Sequence, residues 1–148
     1  QRGVPAHITL LYPFIAPEKI GDQDLDSLKE LFSQQAAFEA QLSEIRRFPN
    51  AVYLYPDPDD EFRRLTRLIF EHFPAYPPYR GEFPDTIPHL TVAQNEDSQV
   101  LSRVERELEL AAEDALPIRF TVEWVRLFEE GPQGWGCSHS FPLSKKSA

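Results

Sequence analysis

The spacing of apolar residues along the chain predicts alternating strands and helices. Three stretches carry apolar side chains three or four residues apart, as in a helix with one buried face. These predicted helices are about 23–35, 58–73 and 98–113. Other stretches alternate apolar with polar residues, or are apolar throughout, as strands do. The predicted strands are about 6–12, 38–48, 51–55, 88–94, 118–129 and 135–142, and the mixture predicts an α+β fold.

Residues at the ends of these segments predict where the helices begin. Asp22 or Asp24 is placed to cap the first helix, because a carboxylate can accept hydrogen bonds from free backbone N–H groups. Asp57 is predicted to cap the second helix, with Pro58 at its first position. Residues 74–87 are rich in proline, so we expect an ordered loop without helix there.

Two of the predicted strands carry the same tripeptide pattern, His-x-Thr. The first is His7-Ile8-Thr9 and the second is His89-Leu90-Thr91. In a strand, residues i and i+2 project from one face, so each copy should present an imidazole beside a hydroxyl. The apolar neighbours should point to the opposite face and into a core; they are Ile8, Leu10, Leu90 and Val92.

These side chains suit acid–base chemistry on a phosphoryl group. An imidazole in water has a pKa near 6.5, so it can take up or deliver a proton near neutral pH. A threonine hydroxyl can donate to a phosphoryl oxygen as negative charge builds up there. If both pairs flank one phosphoryl group, the two Nε2 atoms should lie roughly 5–7 Å apart. Such a site needs no metal and no cofactor.

The order of elements repeats along the chain. A motif strand, a helix, a strand, a turn and a further strand occur over 6–55 and again over 88–142, which predicts an internal duplication. We expect a first motif lobe of about 1–50 and a second of about 88–148, joined by 51–87. The second motif also follows a strand and a helix, so we expect their counterparts upstream of Gln1.

The stretches PAHITLLYPF and IPHLTVAQ, with their spacing, resemble the two-histidine (2H) phosphoesterase superfamily. That superfamily includes 2′-5′ RNA ligase-like proteins and cyclic nucleotide phosphodiesterases. The resemblance implies a bilobal fold, with two mainly antiparallel sheets facing across a central cleft and helices outside. It also implies that His7 and His89 are the catalytic pair and that Thr9 and Thr91 contact the phosphate.

Aromatic and basic residues near the motifs are candidates for substrate binding. Tyr12 and Phe14 follow the first motif and could stack on a base, although core packing is the more common use of such residues. Tyr79 and Arg80 lie in the loop before His89, where a base stacker and a phosphate clamp would be useful and simple loop anchoring is the alternative. The remaining histidines and the cysteine are interpreted as structural; they are His72, His139 and Cys137.

Charge and composition limit the partners. The net charge of −9 argues against a grip on long nucleic acid, which needs a basic surface, and favours a small nucleotide or an RNA end. A local basic pocket or ordinary surface pairing would each explain a group of arginines in the middle third, namely Arg46, Arg47, Arg63, Arg64, Arg67 and Arg80. No apolar run approaches the roughly 20 residues of a membrane helix, and we expect a cytoplasmic protein. Neither HExxH nor CxxC occurs, so no metal is predicted. The sequence does not indicate an oligomeric state.

Three functions are compatible with these residues. The first is hydrolysis of a 2′,3′-cyclic or 2′-5′-linked nucleotide phosphodiester by the two histidines. The second is non-catalytic binding of a mononucleotide in the same cleft, and the third is a scaffold or interaction domain in which the motifs are relics. A further alternative to hydrolysis is 2′-5′ ligation of RNA ends. Ligation needs a docking surface for two RNA ends, which the acidic charge disfavours.

Overall fold

A computed structural model describes residues 4–82 and 85–145 of the chain. These ranges contain three helices, six strands and a short 3-10 turn at Pro78–Gly81. The helices are α1 (Asp22–Ser33), α2 (Asp60–His72) and α3 (Ser98–Ala115). The strands are β1 (Phe38–Phe48), β2 (Ala51–Asp57), β3 (Leu90–Gln94), β4 (Ile118–Val122), β5 (Trp124–Gly131) and β6 (Gly134–Pro142). This α+β arrangement with two antiparallel sheets is the predicted fold class.

The larger sheet has the strand order β3-β2-β1-β4, so β2 is paired on both sides. Helix α3 covers one face of this sheet, where Val52 and Leu101 are completely buried. Arg47 fastens the helix to β1, because its guanidinium donates to the Ser98 carbonyl and the Ser102 hydroxyl, each at 2.9 Å. The opposite face of β2 carries Tyr53 and Tyr55, which are also buried.

The chain divides into two compact units. One unit contains α1 and the antiparallel β5–β6 hairpin, and the rings of Phe32 and Phe141 pack there with centroids 5.9 Å apart. The other contains Ala6–Tyr12 and Ala40–Phe120, so both His-x-Thr segments belong to it. The sequence-based lobe boundaries, the internal duplication and the cleft between lobes remain predictions.

Two predicted boundaries are wrong. Asp57 does not cap α2, because β2 runs through it and pairs it with Gln41; Asp59 is the residue at the helix start. The predicted strand over 118–129 is two strands in different sheets, β4 beside β1 and β5 beside β6. The change occurs at Glu123, whose carbonyl accepts a hydrogen bond from the backbone N–H of Leu143 at 2.9 Å.

The predicted strand over 6–12 is also wrong. These residues form no strand; two of their backbone carbonyls accept hydrogen bonds from a helix and from a loop. Thr66 of α2 donates from its hydroxyl to the Leu10 carbonyl at 2.7 Å. Tyr79 donates from its backbone N–H to the Tyr12 carbonyl, also at 2.7 Å. The first motif is therefore positioned by α2 and by the loop that precedes the second motif.

The second motif enters the sheet as predicted, with one irregularity. Val52 pairs with Ala93 and Tyr53 pairs with Thr91, so Val92 is an extra residue in a β-bulge. Val92 consequently lies 42% exposed, and its predicted burial in a core is wrong. Leu90, opposite Leu54, is half-buried, in keeping with its predicted direction.

The anchoring of the first motif by Thr66 can be tested by substitution. Thr66→Val keeps the shape of the side chain but removes the donor to Leu10, so we expect a loss of about 1 kcal/mol in the free energy of unfolding. Hydrogen exchange of the Tyr79 amide should also become faster, because its acceptor lies on the released segment. Urea denaturation and exchange measured by NMR provide the two readouts. Thr66→Ser is the matched control, and equal values for Thr66→Val and Thr66→Ser would contradict the anchoring role.

Candidate active site

One face of the larger sheet gathers the second motif with charged and aromatic residues. Cross-strand pairs share a face, and the pairs here are Glu44 with Tyr55, Arg46 with Tyr53, and Tyr53 with Thr91. His89, two residues before Thr91, projects to the same face and contacts the Tyr53 ring. This surface is called the His89 face below, and its residues are Glu44, Arg46, Tyr53, Tyr55, His89 and Thr91.

Two aromatic rings fix the position of the His89 imidazole. The ring of Phe48 meets it edge-on at a centroid distance of 5.2 Å and an angle of 90°, and that of Tyr53 lies 5.6 Å away at 66°. Phe48 and Tyr53 stack on one another at 4.2 Å, so they form one rigid support. Burial raises the pKa of the Tyr53 hydroxyl, which keeps this support uncharged. The imidazole itself is half-buried and remains within reach of solvent.

A backbone carbonyl determines which nitrogen of His89 exchanges protons. Nδ1 lies 2.7 Å from the carbonyl oxygen of Ile87. A carbonyl can only accept a hydrogen bond, so Nδ1 must carry a hydrogen. Nε2 is then the atom that gains or loses a proton, and no described residue forms a hydrogen bond with it. Thr91 is exposed on the same face, two residues after His89.

The first motif belongs to the same compact unit but lies outside the sheet. His7 and Thr9 are both half-buried. Their segment is tied to α2 and to the loop before His89 by the two hydrogen bonds of Leu10 and Tyr12. The convergence of His7 with His89 on one phosphoryl group, with Nε2 atoms roughly 5–7 Å apart, stays a prediction.

The loop before the second motif has an unusual backbone. Tyr79 and Arg80 have positive φ angles of 50° and 56°, and Gly81 follows with 76°. This left-handed region costs a non-glycine residue about 1–2 kcal/mol. The loop nevertheless keeps the conformation in which the Tyr79 N–H reaches Tyr12. Burial raises the pKa of the Tyr79 hydroxyl, whereas the Arg80 side chain is exposed.

The four predicted substrate-binding residues have different settings. Tyr12 and Tyr79 are joined through their backbones, and Tyr12 is 47% exposed. Arg80 directly follows Tyr79 in the chain. Phe14 is half-buried and falls in the other compact unit, with α1 and the β5–β6 hairpin. The binding roles of all four remain predictions.

A polar network joins β2, the start of α2 and the loop that precedes His89. The Tyr55 hydroxyl donates to the Asp59 carboxylate, and Arg63 donates to the same carboxylate at 2.7 Å. These two hydrogen bonds lower the pKa of Asp59, and the bond from Tyr55 has the larger effect. Desolvation lowers the pKa of Arg63, but the bonds to Asp59 and Tyr55 outweigh it and raise the pKa overall. Arg63 also pairs with Asp85 at 3.5 Å, two residues before Ile87.

With this geometry established, the similarity to known proteins decides the family. The 2′-5′ RNA ligase superfamily matches the sequence over residues 2–133. The chain belongs to this superfamily. The resemblance to two-histidine phosphoesterases that the two His-x-Thr motifs indicated is thereby confirmed.

A solved structure of another protein has the same fold as this chain. The crystal structure of TT0787 from Thermus thermophilus superposes with a TM-score of 0.65 and is 20% identical in sequence. The match covers 97% of this chain and 82% of that one. At this identity the likeness shows the fold alone. No curated protein matches the sequence.

The described residues contain neither a metal-binding cluster nor a membrane-spanning helix. In residues 4–82 and 85–145, no group of three or more His, Cys, Asp or Glu side chains is placed to bind a metal ion. None of the helices in those ranges is long and apolar enough to cross a membrane.

Sequence reasoning missed several residues that support the site. Thr66 is a polar residue within the apolar stripe of α2, between Leu65 and Ile69, and that interruption could have drawn attention to it. Phe48 and Tyr53 gave no separate signal, because aromatic residues are common in any strand. The contact of Arg63 with Asp85 joins a helix to a loop and depends on the fold alone.

The lowered pKa of Asp59 predicts how its contribution to stability changes with pH. A carboxyl group whose pKa is lower in the folded than in the unfolded protein stabilises the fold at pH values above its pKa in the unfolded protein. This stabilisation is lost as the pH falls through its pKa in the folded protein. Asp59→Asn should therefore lower the free energy of unfolding at pH 7 and have little effect near pH 2. The loss at pH 7 should be less than about 1 kcal/mol, because the side chain is partly exposed.

Urea denaturation of wild type and Asp59→Asn across this pH range measures the effect. Tyr55→Phe is the matched control, because it removes one of the two donors and should reduce the pH-dependent part without abolishing it. A stability difference that stays constant from pH 2 to pH 7 would contradict the role of the network.

Proposed function

We propose that this superfamily member is a metal-independent phosphodiesterase that hydrolyses a 2′,3′-cyclic or 2′-5′-linked nucleotide phosphodiester. The observation that carries the proposal is the setting of His89. Its ring is fixed by Phe48 and Tyr53, its Nδ1 donates to the Ile87 carbonyl, and its Nε2 is the proton-exchanging atom. Membership of a superfamily recognised by two His-x-Thr motifs supports the pairing with His7.

Hydrolysis of the cyclic phosphate requires two proton transfers. One histidine, neutral at the start, accepts a proton from water as the water oxygen bonds to phosphorus. The other, protonated at the start, delivers a proton to the ribose oxygen as its bond to phosphorus breaks. Thr91 and Thr9 donate hydrogen bonds to the non-bridging oxygens, whose negative charge increases on the way to the transition state. His7 and His89 must therefore begin in opposite protonation states.

The substrate we propose is a small nucleotide or the end of an RNA. The net charge of −9 opposes binding along an extended phosphate backbone. A single phosphoryl group at the end of a chain needs only local donors, which the two threonines supply.

Substitution of the two histidines tests this function. We expect His7→Ala and His89→Ala each to lower kcat on a 2′,3′-cyclic nucleotide about 10²- to 10⁴-fold, because each removes one proton-transfer group. EDTA should leave the wild-type rate unchanged. The measurement is the rate of ring opening, followed by separation of the cyclic and linear nucleotides.

The other two histidines are the matched controls. His72 bonds to the Leu68 carbonyl within α2, and His139 lies on β6 in the other unit, so His72→Ala and His139→Ala should retain the wild-type rate. Binding of the nucleotide without any turnover by wild type would favour a non-catalytic binding module. Loss of activity in only one of the two motif variants would contradict two-histidine catalysis.

A further inference from the structure

Two adjacent arginines of β1 have opposite surroundings. Arg47 points to α3, where its guanidinium bonds to Ser98 and Ser102. Arg46 points to the His89 face, and its guanidinium carbon lies 3.6 Å from the centre of the Tyr55 ring. The Arg46 side chain is nevertheless 44% exposed. The guanidinium thus lies over an aromatic ring while part of the side chain meets solvent.

The position of this guanidinium is fixed by its neighbours. Glu44 accepts from Nε at 2.9 Å and from Nη2 at 2.7 Å, both at one carboxylate oxygen. The Tyr55 ring beneath is fixed in turn, because its hydroxyl donates to Asp59, which Arg63 also binds. The two layers therefore form a preorganised stack, and a third flat group could bind on top without reordering them.

The stack of Arg46 on Tyr55 lies on the same face of the sheet as the second motif, two strands away. Arg46 is opposite Tyr53 on β1, and Tyr53 is opposite Thr91 on β3, so two strand spacings separate the backbones of Arg46 and Thr91. This amounts to about 9.5 Å along one face of the sheet. A ribose separates a nucleobase from its 2′,3′-phosphate, so a phosphate beside His89 and Thr91 leaves the base within reach of Arg46.

We propose that Arg46, lying over Tyr55, is the nucleobase subsite of this enzyme, with the base stacked on the outward side of the guanidinium. The proposal rests on the function proposed above, and it makes Arg46 a determinant of substrate binding. Nucleobases stack on arginine planes as they do on aromatic rings, and such stacking tolerates every base. The ligand class is therefore a nucleotide of any base.

The charge at this position favours a base over a second phosphate. The Glu44 carboxylate, 2.7 Å from Arg46, offsets the positive charge of the guanidinium. The bond to Glu44 also raises the pKa of Arg46, which stays charged. A phosphate on this stack would approach the carboxylate and be repelled, whereas an uncharged base would not.

Kinetics with and without a base on the substrate test the subsite. The two substrates are adenosine 2′,3′-cyclic phosphate and a methyl riboside 2′,3′-cyclic phosphate, which lacks the base. In wild type, KM should be about five- to one-hundred-fold higher for the base-free substrate, with similar kcat. Arg46→Ala should raise KM for the adenosine substrate by a similar factor and leave KM for the base-free substrate unchanged.

Further variants distinguish stacking from charge and from a structural role. Arg46→Lys keeps the charge but not the plane, so it should behave like Arg46→Ala. The exposed Arg106→Ala on α3 is the matched control and should behave as wild type. Full activity of Arg46→Lys, equal KM values of wild type for both substrates, or an equal effect of Arg46→Ala on both substrates would each overturn the proposal.

Failure of the proposed hydrolysis would give a different result. Wild type would then turn over neither substrate, and adenosine 2′-monophosphate would be titrated by NMR into wild type and Arg46→Ala. The subsite predicts a Kd about five- to one-hundred-fold weaker in the variant and no difference for ribose 2-phosphate. An unchanged Kd for the nucleotide would overturn the subsite independently of catalysis.

Discussion

The pairing of β2 with strands on both sides is the constraint on which the site depends. Every residue from Ala51 to Pro56 is buried, so the side chains on both faces of the strand are covered by neighbouring residues. One face packs against α3 around Val52, and the other presents Tyr53 and Tyr55 to the His89 face. Because a shift of one residue would exchange these two faces, the register of β2 determines which of its side chains lie beside Thr91 and Arg46.

Different interactions position the two His-x-Thr segments. The second depends on sheet pairing, on ring contacts and on the Ile87 carbonyl. The first depends on a helix hydroxyl and on a left-handed turn. The loop before the second motif also takes part in positioning the first, because the backbone N–H of Tyr79 donates to the carbonyl of Tyr12. A change in the loop before His89 should therefore affect both motifs together.

Much of the fold was predictable because local patterns and tertiary packing agree there. The alternation over 38–48 and the helical spacing of α1 both survive in the structure, and period two placed His89 and Thr91 on one face. The same period failed for 6–12, because a strand also needs a partner, which a sequence pattern does not specify. The predicted burial of Val92 was wrong because Val92 is the extra residue of a β-bulge, and a bulge is visible only in the pairing of β2 with β3.

The supporting residues of the site were less predictable, for physical reasons. Arg46 and Arg47 are identical in type and adjacent in sequence, yet one meets a tyrosine ring and the other a helix. Their roles differ because the pleat directs them to opposite faces, and what covers each face depends on distant segments. The contact between Arg63 and Asp85 likewise joins elements whose proximity no local pattern encodes.

The central claim is that His7 and His89 bind one small anion together. NMR titration of the imidazole nitrogens with inorganic phosphate measures this most directly. The account predicts that the Nε2 signals of His7 and His89 shift with a single dissociation constant, while those of His72 and His139 do not move. A shift of only one motif histidine, or two separate dissociation constants, would contradict it.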